Sequence, residues 1–137
     1  MPLHVTSASA GSSLLPLASI TETFFGIRPE RREPVPVVAL DEYVDEHNMP
    51  LPDLIKLDVQ GFELEALVGA KRCVASARFI IVEVSLVELY LWQALFRDIY
   101  DFCRTHGFRL YALGAETRLG KELLQADALF LREGCVP

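Results

Sequence analysis

The chain has 137 residues, which is the length of one domain that can bury a core of its own. Hydrophobic residues make up 51% of the chain and charged residues 23%, and this composition excludes a mostly disordered protein. The formal net charge of -6 argues against nonspecific binding to nucleic acid or to an anionic membrane, because both need clustered Lys and Arg.

The sequence favours a cytoplasmic protein without a membrane span. No run of 18 or more uncharged apolar residues occurs, so we predict no transmembrane helix. The three cysteines are an odd number without the spacing of a metal site, and they fit a reduced compartment better than a disulfide framework.

The first 34 residues are rich in Ser, Ala and Pro, and we interpret 1–34 as an irregular segment with a short strand at 3–6. Its one basic cluster, Arg28, Arg31 and Arg32, is interrupted by Pro29 and Glu30 and is interpreted as a solvated loop. "VPVVAL" (35–40) then predicts a strand, and the aspartate that follows it, Asp41, predicts the N-cap of a helix over 41–47.

From residue 54 onward, strand patterns alternate with helix patterns. The predicted strands are "LIKLDV" (54–59), "RFIIVEVS" (78–85), "FRLYAL" (108–113) and "DALFLR" (127–132), and the predicted helices span 62–75 and 87–105, the second stopped by Gly107. This order predicts an α/β fold with a parallel sheet and flanking helices. The last two strands are joined by too short a link for a crossover helix, so we expect them to pair antiparallel.

Polar residues lie where two of these strands end. Asp58 lies near the carboxyl end of one predicted strand and Glu83 near that of the next. If these strands are neighbours, the two carboxylates approach one crevice beyond the strand ends, where ligands bind in such sheets. Lys56 shares a face with Asp58. The two carboxylates could serve as a general base, a metal-ligand pair or hydrogen-bond acceptors. Alternatively, Asp58 or Gln60 caps the next helix and Glu83 pairs with Lys56.

The turn after the first of these strands contains a glycine and an acidic residue. Gly61 allows an unusual backbone angle or the close approach of a ligand. Glu63 falls in the first helical turn, where the helix dipole favours a carboxylate, or it contacts a ligand directly. Tyr90, Trp92 and Phe96 could line an acceptor pocket, although their helical spacing is more typical of a core.

Several motifs in the same order resemble the FkbM family of S-adenosylmethionine-dependent methyltransferases. They are "GSSLL" (11–15), "VPVVALDEYV" (35–44), and "IKLDVQGFELEALVGA" (55–70) followed by "FIIVEVS" (79–85). The resemblance covers about residues 3–132. It implies a class I, Rossmann-like methyltransferase sheet whose final strand runs antiparallel, with 35–133 as the C-terminal half of that domain and 134–137 as a tail.

The resemblance also implies a site. Transfer of a methyl group to a hydroxyl of a small molecule or sugar-containing acceptor would use Asp58, Lys56 and Glu83, with Asp58 as base or orienter. S-adenosylmethionine would contact Asp58, Gln60, Gly61 and Glu63. Many relatives have Glu where this chain has Gln60, which argues against a base at that position.

No glycine-rich donor loop precedes residue 35, so the resemblance implies a truncated methyltransferase that binds the cofactor weakly on its own. A partial sheet would expose an apolar edge at "LIKLDV", which is a liability for a free monomer, and a homo-oligomer through this edge is a possible partner arrangement. Two alternatives remain open: a non-catalytic remnant that pairs through this edge, and a metal-binding α/β enzyme using Asp58 and Glu83.

Overall fold

The computed structural model describes residues 1–136, and Pro137, the last residue of the predicted tail, lies outside the described residues. The described strands are β1 (Pro2–Thr6), β2 (Pro29–Pro34), β3 (Leu54–Leu57), β4 (Phe79–Ser85), β5 (Phe108–Leu119) and β6 (Glu122–Arg132). The described α-helices are α1 (Ser19–Phe25), α2 (Leu40–Glu46), α3 (Glu63–Val68), α4 (Lys71–Ser76) and α5 (Phe96–Thr105).

Four strands form a mixed sheet in the order β3-β4-β6-β5. Strands β3 and β4 are parallel and are connected through α3 and α4, whereas β6 is antiparallel to both β4 and β5. The predicted α/β fold and the antiparallel pairing of the last two strands are therefore confirmed. The two strands are longer than predicted, because the polar segment between them continues the hairpin to a tight turn at Gly120.

The hydrophobic core lies on one face of this sheet. Ile80, Val82 and Val84 alternate along β4 and are buried there, and Ile99 and Cys103 of α5 pack at helical spacing in the same cluster. Burying an aliphatic side chain stabilises a fold by roughly 1.5–3 kcal/mol. Helix α5 ends as predicted, since Gly107 follows it with a φ of 80°.

The N-terminal part of the chain is more regular than the sequence indicates. Strand β1 pairs antiparallel with β2, with Val5 opposite Arg31, in a separate two-stranded sheet. The prediction of a loop around Arg31 was wrong, because the backbone there forms β2 and pairs with β1. The side chain of Arg31 is exposed, as expected of a solvated segment.

The strand predicted over 35–40 was also wrong. Residues 35–39 belong to no strand, and Val37 and Val38 are each about half exposed, at 48% and 49%. Helix α2 then begins at Leu40 without a side-chain cap. The Asp41 carboxylate accepts hydrogen bonds from the backbone N–H groups of Arg72 (2.8 Å) and Cys73 (3.0 Å), so it caps α4 instead of its own helix.

Both longer helix predictions extended too far. The helix predicted over 62–75 breaks between α3 and α4 at Gly69, where the backbone passes close to Ala39. The helix predicted over 87–105 begins only at Phe96. Residues 86–95 are irregular because Gln93 Oε1 accepts the backbone N–H groups of Leu89 and Tyr90, both at 2.7 Å, in place of helical hydrogen bonds.

Candidate functional site

The carboxyl ends of β3 and β4 lie side by side. Leu57 is opposite Val82 in the parallel register, and continuing that register by one residue puts Asp58 beside Glu83. The expectation that these two strands are neighbours is confirmed. Two carboxylates from separate segments are therefore neighbours at the strand ends, which is where open α/β sheets bind ligands.

Each oxygen of the Asp58 carboxylate has a partner. Lys56 Nζ lies 3.7 Å from Oδ2, and Gln60 Nε2 donates a hydrogen bond of 2.9 Å to Oδ1. About half of the Asp58 side chain is exposed. It opens into a cleft of about 490 Å³ that is lined also by Gln60, Ser12 and Ser13. This volume is within the range of roughly 300–1,000 Å³ that is typical of small-molecule sites.

Gln60 contacts both the cleft and the buried part of the protein. Its φ of 54° is unusual for a residue other than glycine, and its backbone carbonyl accepts a 2.6 Å hydrogen bond from the Ser13 hydroxyl. The Tyr90 hydroxyl lies 2.8 Å from Gln60 Oε1 and 3.0 Å from the Gly11 carbonyl oxygen. Burial raises the pKa of Tyr90, so its hydroxyl stays protonated and can donate. The Gln60 amide thus links the exposed Asp58 to a buried tyrosine.

Gly61 and Glu63 stabilise the turn between β3 and α3. Gly61 has a φ of 95°, and a Cβ at this position would lie 3.1 Å from Tyr90 Cδ2. Glu63 is 4% exposed, and its Oε1 accepts the backbone N–H groups of Val59 (3.0 Å) and Gly61 (3.2 Å). Burial raises the pKa of Glu63. Helix α3 has no side-chain N-cap, so neither Asp58 nor Gln60 caps it. Direct cofactor contacts by Gly61 and Glu63 stay predictions.

Glu83 has a neighbour that the sequence did not suggest. Its Oε2 accepts a 2.9 Å hydrogen bond from Gln125 Nε2 on β6, while Lys56 pairs with Asp58. Burial, followed by the charges of Asp58, Glu63 and Asp127, raises the pKa of Glu83 to about 7, against the opposing hydrogen bond from Gln125. Glu83 is therefore poised to exchange a proton near neutral pH.

Sequence reasoning missed two further polar residues of this region. Ser13 could have been noticed, because it lies in the "GSSLL" segment that carries the resemblance. Gln125 gave no local signal, since it comes to Glu83 only through the antiparallel pairing of β4 with β6. With Thr21, Thr117 and Tyr90, Gln125 also lines a smaller cavity of about 190 Å³.

The three aromatic candidates have different environments. Tyr90 is 3% exposed, and Phe96 packs against the core, as the core interpretation predicted. For Trp92 that interpretation was wrong, because its side chain is 76% exposed and its φ is 65°.

An apolar groove of about 480 Å³ runs along the other side of β3. It is lined by Val37, Val38, Tyr43, Leu57 and Phe62, together with Met1 and residues of α3. Strand β3 is the outer strand of its sheet, and no strand within residues 1–136 pairs with its outer edge. The predicted exposed edge at "LIKLDV" is therefore present in the described part of the chain.

The described residues contain no group of three or more His, Cys, Asp or Glu side chains arranged to hold a metal ion. Within residues 1–136, Asp58 and Glu83 are therefore not joined by a third His, Cys, Asp or Glu side chain arranged to hold a metal ion. None of the helices in that range is both long and apolar enough to cross a bilayer.

Comparison with known proteins identifies the family. Residues 3–110 match the model of the methyltransferase FkbM domain, and this match covers most of the chain. The chain therefore belongs to the FkbM methyltransferase domain family, as the motifs indicated.

Two curated relatives are methyltransferases. The chain is 30% identical over 80 residues to the hexuronic acid methyltransferase AglP of Haloferax volcanii, an overlap of 58% of this chain and 34% of that protein. It is 40% identical over 62 residues to the 2-O-methyltransferase NoeI of Sinorhizobium fredii, which covers 45% of this chain and 26% of that protein. The chain thus spans about a third or less of the length of either relative. No solved structure matches it.

Proposed function

We propose that this chain carries the acceptor side of an S-adenosylmethionine-dependent O-methyltransferase that acts on a hydroxyl group of a sugar-containing or other small molecule. The observation that carries the proposal is the meeting of Asp58 and Glu83 at the carboxyl ends of β3 and β4 in a member of the FkbM family. The strand order β3-β4-β6-β5 also fits the C-terminal half of a Rossmann-like methyltransferase sheet. A sugar hydroxyl is favoured because one relative is named for hexuronic acid and the other for 2-O-methylation.

The residues around the cleft fit a cationic, hydroxyl-bearing donor such as S-adenosylmethionine. Asp58 provides a negative charge at the cleft, and Ser12, Ser13 and Gln60 provide hydroxyl and amide groups that can bind ribose or amino-acid atoms. When bound, the donor would supply an activated methyl group. Asp58 and Gln60 are the residues of this chain that would hold it.

The two carboxylates divide the work on the acceptor. The acceptor hydroxyl has to lose its proton as its oxygen attacks the methyl group, and a general base works best when its pKa lies near the operating pH. Glu83, with a pKa near 7, meets this condition, and its Oε1 is free of protein hydrogen bonds within residues 1–136. Asp58, held by Lys56 and Gln60, orients the hydroxyl group. Pairs of carboxyl groups in different environments commonly take different roles in this way.

Methyl transfer tests this assignment. The purified chain is incubated with isotopically labelled S-adenosylmethionine at millimolar concentration and with a series of methyl glycosides, and labelled glycoside is counted. We expect the rate to rise with pH through about 7, the Glu83→Gln variant to lose the transfer, and Asp58→Ala to abolish it with an unchanged circular dichroism spectrum.

The matched control is Asp101→Asn, because Asp101 is an exposed residue of α5 paired only with Arg97. This variant should transfer methyl groups at the wild-type rate. Full activity of Asp58→Ala would remove Asp58 from the mechanism, and transfer to no acceptor at millimolar donor would contradict the proposed function.

Donor affinity is a separate measurement. Because the chain spans about a third or less of its relatives, we expect isothermal titration calorimetry to show only weak binding of S-adenosylmethionine, which is why the transfer assay uses millimolar donor. A micromolar dissociation constant would contradict this expectation, and it would mean that the residues of this chain suffice for the donor site.

A second candidate function is self-association through the outer edge of β3. If two copies pair antiparallel about Leu57, Lys56 of each copy lies opposite Asp58 of the other, so the strand is complementary to itself in charge. The apolar groove beside the strand would be covered at the same time. Such pairing would also cover Asp58, so a chain that self-associates in this way would not be catalytic.

Sedimentation equilibrium separates the two candidates. Self-association through this edge predicts a dimer for the wild type and a monomer for Lys56→Glu. It also predicts recovery of the dimer when Lys56→Asp and Asp58→Lys are combined, because the exchange restores opposite charges. A monomeric wild type at high concentration would exclude this second candidate.

A further inference from the structure

Trp92 is unusual in its backbone and in its exposure. It is the one tryptophan of the chain and lies in the irregular segment 86–95 between β4 and α5. Trp92 is 76% exposed, the most of any large hydrophobic residue within residues 1–136 apart from Val136 near the end. Its φ of 65° lies in the left-handed region, which favours glycine and is strained for a bulky side chain.

The segment that carries Trp92 is fixed on both sides of it. The Trp92 backbone N–H donates to Glu88 Oε1, and the Gln93 side chain binds the backbone N–H groups of Leu89 and Tyr90. Gln93 is the next residue, and it packs with Tyr90 against Gly61 in the turn that follows β3. Trp92 is therefore held beside the turn that carries Asp58 and Gln60.

The indole ring makes none of the specific interactions that would tie it to the described part of the fold. Within residues 1–136, the ring takes part in no aromatic pair, and Nε1 donates no hydrogen bond. A bulky residue at positive φ is strained, and such backbone outliers concentrate at binding and catalytic sites. A ligand that covers the ring would account for both features.

We propose that Trp92 is the platform on which an uncharged sugar ring of the acceptor stacks. The flat apolar face of an indole suits the C–H face of a pyranose, while hydroxyl groups of the same sugar can reach the neighbouring polar side chains. The charges nearby determine the class of sugar. The Glu88 carboxylate contacts the Trp92 backbone, and Asp58 lies in the neighbouring turn with its charge shared with Lys56, so a negatively charged uronic acid would be repelled.

This inference rests on the proposed function in one respect, namely that the acceptor is a sugar. Its test measures sugar binding and does not require methyl transfer. The fluorescence of Trp92 reports directly on its surroundings, because the chain has no other tryptophan. The probes are methyl glucoside and methyl glucuronide, which differ in the carboxylate and are added at millimolar concentrations. We expect a saturable change in the emission with the glucoside and a weaker change with the glucuronide.

Saturation-transfer NMR measures the same binding in variants without the tryptophan. Trp92→Gly should bind the glucoside about fivefold to tenfold more weakly, and Trp92→Phe should keep most of the affinity. Tyr111→Ala is the matched control, because Tyr111 is an exposed aromatic residue on β5 that already packs against Arg109. It should bind as the wild type does.

Thermal unfolding guards against a variant that fails to fold. Glycine suits a φ of 65°, so Trp92→Gly should be at least as stable as the wild type even as it loses the sugar. Three results would overturn the inference: no emission change with the glucoside, unchanged binding by Trp92→Gly, or tighter binding of the glucuronide. Binding as expected without methyl transfer would contradict the proposed function and leave the role of Trp92 standing.

Discussion

Gln60 and Trp92 occupy comparable places and differ in what their side chains do. Each follows the carboxyl end of one of two neighbouring parallel strands, and each is a residue other than glycine with a positive φ, 54° and 65° respectively. The Gln60 side chain binds Asp58 and Tyr90, and its carbonyl oxygen accepts the Ser13 hydroxyl. The Trp92 side chain is exposed.

The difference teaches how backbone strain can be interpreted. At Gln60 the strain is offset by hydrogen bonds that the folded chain makes by itself, so it needs no ligand to explain it. At Trp92 the backbone N–H is held by Glu88, but within residues 1–136 the side chain makes no hydrogen bond or aromatic pair that would offset the strain. Gln60 therefore has a structural role in the site, whereas Trp92 is suited to contact a ligand.

The largest expected effect comes from the glycine next to Gln60. Gly61→Ala would combine a φ of 95° with a Cβ that lies 3.1–3.3 Å from atoms of Tyr90 and Gln93. We expect it to lower the free energy of unfolding by about 3 kcal/mol. Gly120→Ala is the control, because Gly120 has a φ of 58° but no atom within 4 Å of the added Cβ, and it should cost about 1 kcal/mol. Urea denaturation measures both, and equal losses would mean that the contact with Tyr90 is unimportant.

The second effect concerns the carboxylate that holds the same turn. Glu63→Ala would leave the backbone N–H groups of Val59 and Gly61 without their acceptor, at a cost of about 2 kcal/mol. Glu63→Gln keeps an acceptor oxygen and should lose much less. Hydrogen exchange at the two amides is the direct measurement. If their protection survived in Glu63→Ala, Glu63 would not be what orders the turn.

The third prediction tests the comparison itself. Trp92→Gly relieves strain and removes no side-chain hydrogen bond within residues 1–136, so it should raise the free energy of unfolding by about 0.5–1 kcal/mol. Gln60→Gly relieves similar strain but loses its links to Asp58 and Tyr90, so it should lower the free energy of unfolding by about 1 kcal/mol. Opposite signs in chemical denaturation are expected. The same sign for both variants would remove the distinction between the two positions.

The smallest effect is a dependence of stability on pH. The folded pKa of Glu83 is raised from 4.5 to about 7, so the native state binds more protons than the unfolded state between these values. Stability should therefore fall as the pH rises through this range, by a few degrees in the melting temperature. Glu83→Gln should flatten the dependence of stability on pH. Glu116→Gln should not, because Glu116 is an exposed residue that pairs with Arg118. The same pH dependence in Glu83→Gln as in the wild type would contradict a raised pKa of Glu83.

Local pattern was enough to predict the central part of the fold. The run at 78–85 is apolar almost throughout, and it forms β4, the buried strand that joins the parallel and antiparallel parts of the sheet. Gly107 ends α5 as predicted, because a helix end with a left-handed residue is a local matter of backbone sterics. The neighbouring ends at Asp58 and Glu83 also followed from the strand order.

Predictions failed where a distant segment supplied the partner. "VPVVAL" has the composition of a strand, but no strand pairs with it in the described residues, and it lines the apolar groove instead. Asp41 has the position of an N-cap, but its carboxylate reaches the start of α4, 31 residues away. The helix pattern at 87–95 gave way to hydrogen bonds from Gln93, which compete with the helix for the same backbone groups.

The sequence by itself determined the alternation of strands and helices, the family, and the two carboxylates at the strand ends, because each of these is written in short runs of residues. Only the tertiary structure decided what surrounds them. The pairing of β4 with β6 brings Gln125 to Glu83, and the fold brings Tyr90 to Gln60, 30 residues away in sequence. The tertiary structure also leaves Trp92 exposed to solvent. Burial and charge at a site are sums over segments that are distant in sequence, so no local pattern encodes them.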